Sequence, residues 1–285
     1  MTGLITKARA SFHESLLESV LRRDKNGIPG NADKHSRQSL ALAGGILDRI
    51  GERSRGSRLV GQRSGARFEE ICENYVRETF NALEHLRPGT WKIGRKVAAG
   101  RLGIARFDQY AHLAALDKLA SENPELASAL GSDYIIKPDV VIAREPEEDG
   151  EINKTAHIVD SETSRLSSLR RSNNDKLILH ASISCKWTLR SDRAQNARSE
   201  GLNLVQNRKG KLPHVVVITG EPTPNRIASI ALGTGHIDCV YHFALPELAE
   251  TAQELDFVDA VELLHTMIDG KRLRDISDLP LDLII

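Results

Sequence analysis

Ser182-Ile-Ser-Cys-Lys-Trp-Thr-Leu-Arg-Ser-Asp-Arg193 ends an apolar, β-branched run on a lysine and follows it at once with a cluster of arginine and aspartate. Leu177 to Trp187 has the length and composition of a buried central strand, and Asp192 to Val205 has helical spacing with Ser191 or Asp192 as its cap. Val215-Val216-Val217-Ile218-Thr219 is the next buried-strand run, after the loop from Arg208 to Pro213. Strand, helix, strand at this spacing is a crossover unit with a parallel pair, which predicts an α/β fold.

Working outward, Tyr134-Ile135-Ile136 and Val140-Val141-Ile142 read as strand on either side of Pro138-Asp139, and His157-Ile158-Val159 as a returning antiparallel neighbour. The acidic stretch between them, Glu145 to Glu151, reads as a solvated hairpin tip. Cys239 to Phe243 supplies a further strand, and Leu245 to Ile268 supplies covering helices. The first hundred residues read as helices, the clearest from about Ala66 to Leu86, where Phe68, Ile71, Cys72, Tyr75, Val76 and Leu83 recur at helical spacing before Arg87-Pro88-Gly89. Asn26 to Ser36 is a loop, and helical pattern returns from about Phe107 to Leu130 with a break at Asn123-Pro124. The expected organisation is one domain over residues 1–285: a helical N-terminal region to about 130, a catalytic sheet core from about 131 to 245, and C-terminal helices over 246–285.

The chain has 285 residues, 40% hydrophobic and 27% charged, which suits an ordinary globular protein with a sizeable core. Its N-terminus lacks the apolar centre of a signal peptide, and no apolar stretch approaches bilayer length, so a cytoplasmic protein is expected. Cys72, Cys185 and Cys239 fit neither a disulfide framework nor a metal knuckle, so reduced thiols are expected. Thirty-nine basic residues balance thirty-nine acidic ones, with no overall basic excess for a nucleic-acid partner. Lys186 to Lys211 is locally basic, with seven Lys or Arg against Asp192 and Glu200, and so is the run Arg53, Arg55, Arg58, Arg63 and Arg67.

Hydrolysing a phosphodiester requires an in-line water and charge neutralisation at the phosphate, which one or two Mg²⁺ ions provide through oxygen ligands. Asp139, set at a strand bend by Pro138, is the leading ligand, and the backbone carbonyl of Cys185 is a second. Lys186 is placed to orient the attacking water and offset developing charge. The usual nuclease pattern has Asp or Glu two positions before this lysine; here Ser184 stands there and cannot supply a charge. Glu200, on the helix that follows the strand, is the best-placed substitute, and Glu69 the second. Glu69 and Glu200 also suit solvated helix positions.

Arg190 and Arg193 can each read guanine O6 and N7 bidentately while Asp192 accepts from cytosine N4, a combination suited to C·G pairs. The same residues also suit an exposed helix start with an internal ion pair. A nuclease that recognises DNA structure would not need this cluster, and a non-cleaving DNA-binding protein would not need Asp139, Lys186 and Glu200. None of the ten histidines forms an H-x-x-x-H or H-x-H pair, which counts against a histidine-ligated metal hydrolase.

The stretch SISCKWTLRSDRAQNARSEGLNLVQNR at Ser182 to Arg208 resembles the NgoMIV-type restriction endonucleases, together with LPHVVVIT at Leu212 to Thr219, EPTPNRIASIALGTGHIDCVYHFAL at Glu221 to Leu245 and KRLRDISDLPLDL at Lys271 to Leu283. GQRSG at Gly61, FEEIC at Phe68 and ENPELASALGSDY at Glu122 are similar as well. These are CCGG-family type II enzymes of the PD-(D/E)XK nuclease superfamily. The resemblance implies a restriction-endonuclease-like central mixed β-sheet flanked by helices, and a variant active site of Asp139, Ser184, Lys186, the displaced Glu200 and Glu69 in which the serine is part of the pattern. It implies that Arg190, Asp192 and Arg193 read the central CCGG, Arg226 the outer G·C pair, and Gln62 a minor-groove contact. It further implies Mg²⁺-dependent cleavage of double-stranded GCCGGC after the first G, with four-nucleotide 5′ overhangs, in defence against foreign DNA. A palindromic site demands at least a homodimer; a homotetramer engaging two sites is implied by the resemblance alone.

Overall fold

β-branched runs with few charges form strands here and amphipathic segments cover them, as the periodicities require. The computed structural model describes residues 2–51, 61–132, 134–233 and 235–285, with the side chains at 61 and 62 outside that description. The helices run α1 Leu4–Leu17, α2 Arg37–Ile50, α3 Gly61–Asn81, α4 His112–Glu122, α5 Pro124–Leu130, α6 Asp149–Ile152, α7 Ser191–Asn207, α8 Pro224–Ala231, α9 Leu245–Glu254, α10 Val258–Asp269 and α11 Leu279–Asp282. The strands are β1 Trp91–Gly94, β2 Val140–Arg144, β3 Ile178–Lys186, β4 His214–Thr219, β5 Cys239–His242 and β6 Leu273–Asp275. Their sheet order is β1-β2-β3-β4-β5-β6. A mixed sheet with flanking helices is the α/β class expected from the sequence.

Contacts divide the chain into two units, with β3 and α7 running through both. Unit 1 holds residues 1–83, 183–198 and 215–285. In it β4 pairs parallel with β5, Val216 opposite Cys239, and β5 pairs parallel with β6, Val240 opposite Leu273. The apolar stripe of α1 is buried through Phe12, Leu16 and Leu17, and Phe12 meets Tyr75 of α3 with ring centroids 5.1 Å apart. Arg9 ties α1 to α9 and β6: its guanidinium donates to Glu247 at 2.7 Å and to Asp275 at 2.9 Å.

Unit 2 holds residues 84–182 and 199–214. Here β1 pairs antiparallel with β2, Trp91 opposite Arg144. The buried Gln109 side chain completes the start of β3, accepting from Leu179 N at 2.9 Å and donating to Leu179 O at 2.7 Å. Tyr110 Oη donates to Leu204 O of α7 at 2.9 Å, anchoring the far end of that helix.

Four local expectations are overturned. The antiparallel neighbour of β2 is β1, within the region read as helical, and not His157 to Val159. The amides of Ile158 and Val159 both donate to Asn153 Oδ1 at 2.8 Å, so a side chain satisfies donors that a ladder would have used. Tyr134 to Ile136 is likewise not strand; Ile135 N closes a turn on Ser132 O at 2.9 Å and Tyr134 Oη donates to Asp117 at 2.9 Å. The acidic stretch is no solvated hairpin tip: it folds into α6, and Glu145, Glu147 and Asp149 pair with Arg171, Arg144 and Arg170 at 3.0, 3.0 and 2.6 Å. A strand, β6, also lies within the region expected to be wholly helical after residue 246. Cys72, Cys185 and Cys239 are buried free thiols, as expected. No helix among the described residues is long and apolar enough to cross a membrane.

Candidate functional site

The segment from Trp187 to Arg193 owes its shape to alternation. Trp187 and Leu189, 3% and 1% exposed, plug into unit 1 and turn Arg190, Ser191 and Asp192 outward. Trp187 packs on Phe68 and Phe243, with ring centroids 5.0 and 5.9 Å away. Ala194 N donates to Arg190 O at 2.9 Å and opens α7, so the outward residues occupy the positive end of a helix, where Asp192 is electrostatically favoured. Arg193 Nη1 donates to Thr188 Oγ1 at 2.8 Å, which orients that guanidinium.

Facing this segment, α8 begins at Pro224, a residue whose fixed φ suits a first helical position, and projects Asn225, Arg226 and Ser229. The third side is the loop before α2. Asp24 Oδ1 accepts from Asn26 N and Ile28 N at 2.8 and 3.0 Å, and buried Asn31 reaches to Gly220 O at 2.8 Å, so the loop is tied to the end of β4 and presents Asp33 and His35. Leu189, Arg190, Ser191, Ala194, Asn225, Arg226, Ser229, Asp33 and His35 line an open groove of about 560 Å³.

Arg226 Nη2 donates to Asp33 Oδ2 at 2.5 Å. That bond, with His35 N donating to the same carboxylate at 3.1 Å, holds Asp33 below the usual aspartate range, so it presents acceptors only. Glu221 lies beneath the groove with no exposed surface. Burial pushes its carboxyl up, against the hydrogen bonds from Leu189 N and Thr223.

Ser184, Cys185 and Lys186 close β3 in unit 1, the first two buried and the lysine half-buried. Glu69 is half-buried on α3, also in unit 1, and the Phe68–Trp187 contact brings the turn that carries it against the segment following Lys186. Asp139, half-buried immediately before β2, and Glu200, half-buried on α7, belong to unit 2. The structure therefore brings Arg190 and Arg226 to one groove, with Asp192 and Arg193 on the helix that walls it. The Gln62 side chain lies outside the described residues, as do Arg53, Arg55 and Arg58. Among the described residues no group of three or more His, Cys, Asp or Glu could hold a metal ion. Mg²⁺ does not require such a cage, because it is bound through one or two carboxylates and keeps several waters.

Asp33 and Glu221 escaped the sequence reading. Asp33 sits in a loop with no periodicity. Glu221 had one usable signal, a charge directly after the buried run Val215 to Gly220, where an acid is expected to be paired.

Among known proteins, the chain is 54% identical over 286 residues to the type II restriction enzyme NgoMIV of Neisseria gonorrhoeae, covering 100% of both sequences. A solved structure of a restriction endonuclease PspGI–substrate DNA complex is similar at 15% identity, covering 98% of this chain and 90% of that one, with a TM-score of 0.26. The model of the NgoMIV restriction enzyme family matches residues 12–285, and with that match and the full-length identity the chain belongs to this family and is a type II restriction endonuclease.

Proposed function

We propose that this enzyme cuts double-stranded DNA at the palindrome GCCGGC after the first G, leaving 5′-CCGG overhangs, as part of a restriction-modification system in the cytoplasm. The observation that carries this reading is the groove of unit 1, in which Arg190 and the Arg226–Asp33 pair face a common space. Arginine reads guanine O6 and N7, and an ionised aspartate accepts from cytosine N4. Arg190, Asp192 and Arg193 then read the central pairs, and Arg226 with Asp33 the outer G·C pair; Gln62 makes a minor-groove contact.

For the chemistry, the proposed ligands of Mg²⁺ are Asp139, Glu200 and the carbonyl of Cys185. Their donor chemistry fits, since all are hard oxygens and fewer than the six that Mg²⁺ takes, leaving positions for water and phosphate. Bound there, with two ions per active site, Mg²⁺ would neutralise phosphate charge and make a water more acidic. Lys186 orients that water and offsets charge on the phosphate. Ser184 takes the position of the usual carboxylate without supplying charge, and Glu69 supports Lys186 from α3.

The whole chain works as one endonuclease domain, and two copies are needed to read a palindrome; a tetramer engaging two sites is the expected assembly. The test is to incubate the protein with Mg²⁺ and a sequenced plasmid carrying GCCGGC and other CCGG-centred sites, and then to sequence the ends. Cuts confined to GCCGGC with 5′-CCGG overhangs support the reading. Cuts at other CCGG-centred sites remove Arg226 and Asp33 as outer readers, and no cutting overturns the assigned chemistry.

A further inference from the structure

The groove and the strand that carries Lys186 share one buried junction in unit 1, Thr219-Gly220-Glu221 at the end of β4. Glu221 Oε2 accepts from Leu189 N at 2.8 Å, and Oε1 accepts from Thr223 N at 3.1 Å. Leu189 immediately precedes Arg190, and Thr223 immediately precedes α8 with Arg226. One carboxylate thus clasps both walls of the groove, and Arg226 Nη1 stands 3.8 Å from its Oε2. On the other side, Thr219 Oγ1 donates to Lys186 O at 2.9 Å and Gly220 N donates to the same carbonyl at 3.2 Å. Glu221 N donates to Thr219 Oγ1 at 3.2 Å, closing a continuous path from the lysine's backbone to both walls.

A fully buried acid is a costly way to join two loops, and a neutral side chain could fill the space. A carboxylate, however, meets the two amides with separate acceptor oxygens while facing a guanidinium; an amide would turn an NH2 donor toward one of those donors. We propose that Glu221 is a positioning residue for base discrimination, setting the spacing between the Arg190 segment and the Arg226 helix and tying it to the strand end that holds Lys186. This inference rests on the groove being the base-reading site.

Full-length Glu221→Gln, Arg226→Ala and the double variant are compared with the parent enzyme for kcat/KM on GCCGGC and on a duplex with the outer pair changed. The ratio of the two values is the readout, because a smaller folded fraction lowers both equally. Glu221→Gln is expected to lower the ratio about tenfold, the loss of one good base contact. The double variant is expected to fall little below Arg226→Ala, since the two act as a unit. An unchanged ratio in Glu221→Gln beside a reduced ratio in Arg226→Ala overturns the inference and leaves the groove reading intact. An unchanged ratio in Arg226→Ala overturns the groove reading itself. Should the glutamine variant fail to fold, Glu221→Asp keeps the charge but cannot span both amides; the same loss is expected, and a parental ratio overturns the inference.

Discussion

Arg226 of α8 and Asp33 of the loop before α2, 193 positions apart in the chain, form a 2.5 Å hydrogen-bonded ion pair on the wall of the open groove. The pair keeps both side chains charged and extended toward the groove, a guanidinium donor fork beside an acceptor-only carboxylate, which is the complement of a G·C edge.

Asp33→Ala is expected to relax discrimination at the outer base pair by about 1–3 kcal/mol, roughly 5- to 150-fold in relative cleavage rate. Single-turnover cleavage of GCCGGC beside a duplex altered at that pair measures this. Retained discrimination would remove Asp33 from the reading groove.

Lys186→Ala is expected to abolish cutting while specific binding stays largely intact, because Lys186 is assigned to the chemistry and its backbone carbonyl still accepts from Thr219 and Gly220. Binding is measured by gel shift in Ca²⁺ and cleavage in Mg²⁺. A variant that cuts at the parental rate would refute the role.

Arg193→Ala is expected to weaken binding to CCGG-centred sites by about 1–3 kcal/mol relative to unrelated DNA. Thr188→Val leaves the arginine but removes the 2.8 Å bond that orients it, so a smaller loss in the same direction is expected. Unchanged sequence preference in Arg193→Ala takes it out of the reading cluster.

Gly220→Ala should destabilise the protein by about 1–3 kcal/mol, the usual cost of forcing a methyl into a packed core. The added carbon would fall on the Trp187 ring and 2.9 Å from the Trp187 carbonyl oxygen. A melting temperature equal to the parent's would show that Trp187 can move aside.

Asp275 gives the pH dependence a sign. Burial raises its carboxyl, but the Arg9 guanidinium outweighs burial and holds it below the usual aspartate range. A carboxyl lowered by folding adds its full stability above its unfolded value of about 4 and loses it as pH falls through the folded value. Asp275→Asn is therefore expected to melt lower than the parent at pH 7 and to show a shallower further drop below about pH 4. Parallel melting curves against pH would be inconsistent with this.

Strands β3 and β4 and helix α7 were legible because each is a long segment with one periodicity, and burial of its apolar residues is a local property of that pattern. β1 was missed because Trp91–Gly94 is four residues long and its order comes from pairing with β2, not from its own composition. The acidic stretch from Glu145 was misread because charge pattern alone does not reveal that Arg170 and Arg171 lie alongside it.

The same division holds for the site. By itself the sequence determined the α/β class, the strand that ends on Lys186, and the outward-facing Arg190 and Asp192, since these follow from alternation and helix-capping chemistry within a dozen residues. Only the tertiary structure decided that Asp33 stands against Arg226 and that Glu221 is buried between Leu189 and Thr223. Those contacts join segments with no shared periodicity, and they form because the packed core of unit 1 brings a loop, a strand end and a helix start together, where buried or facing charges must find partners.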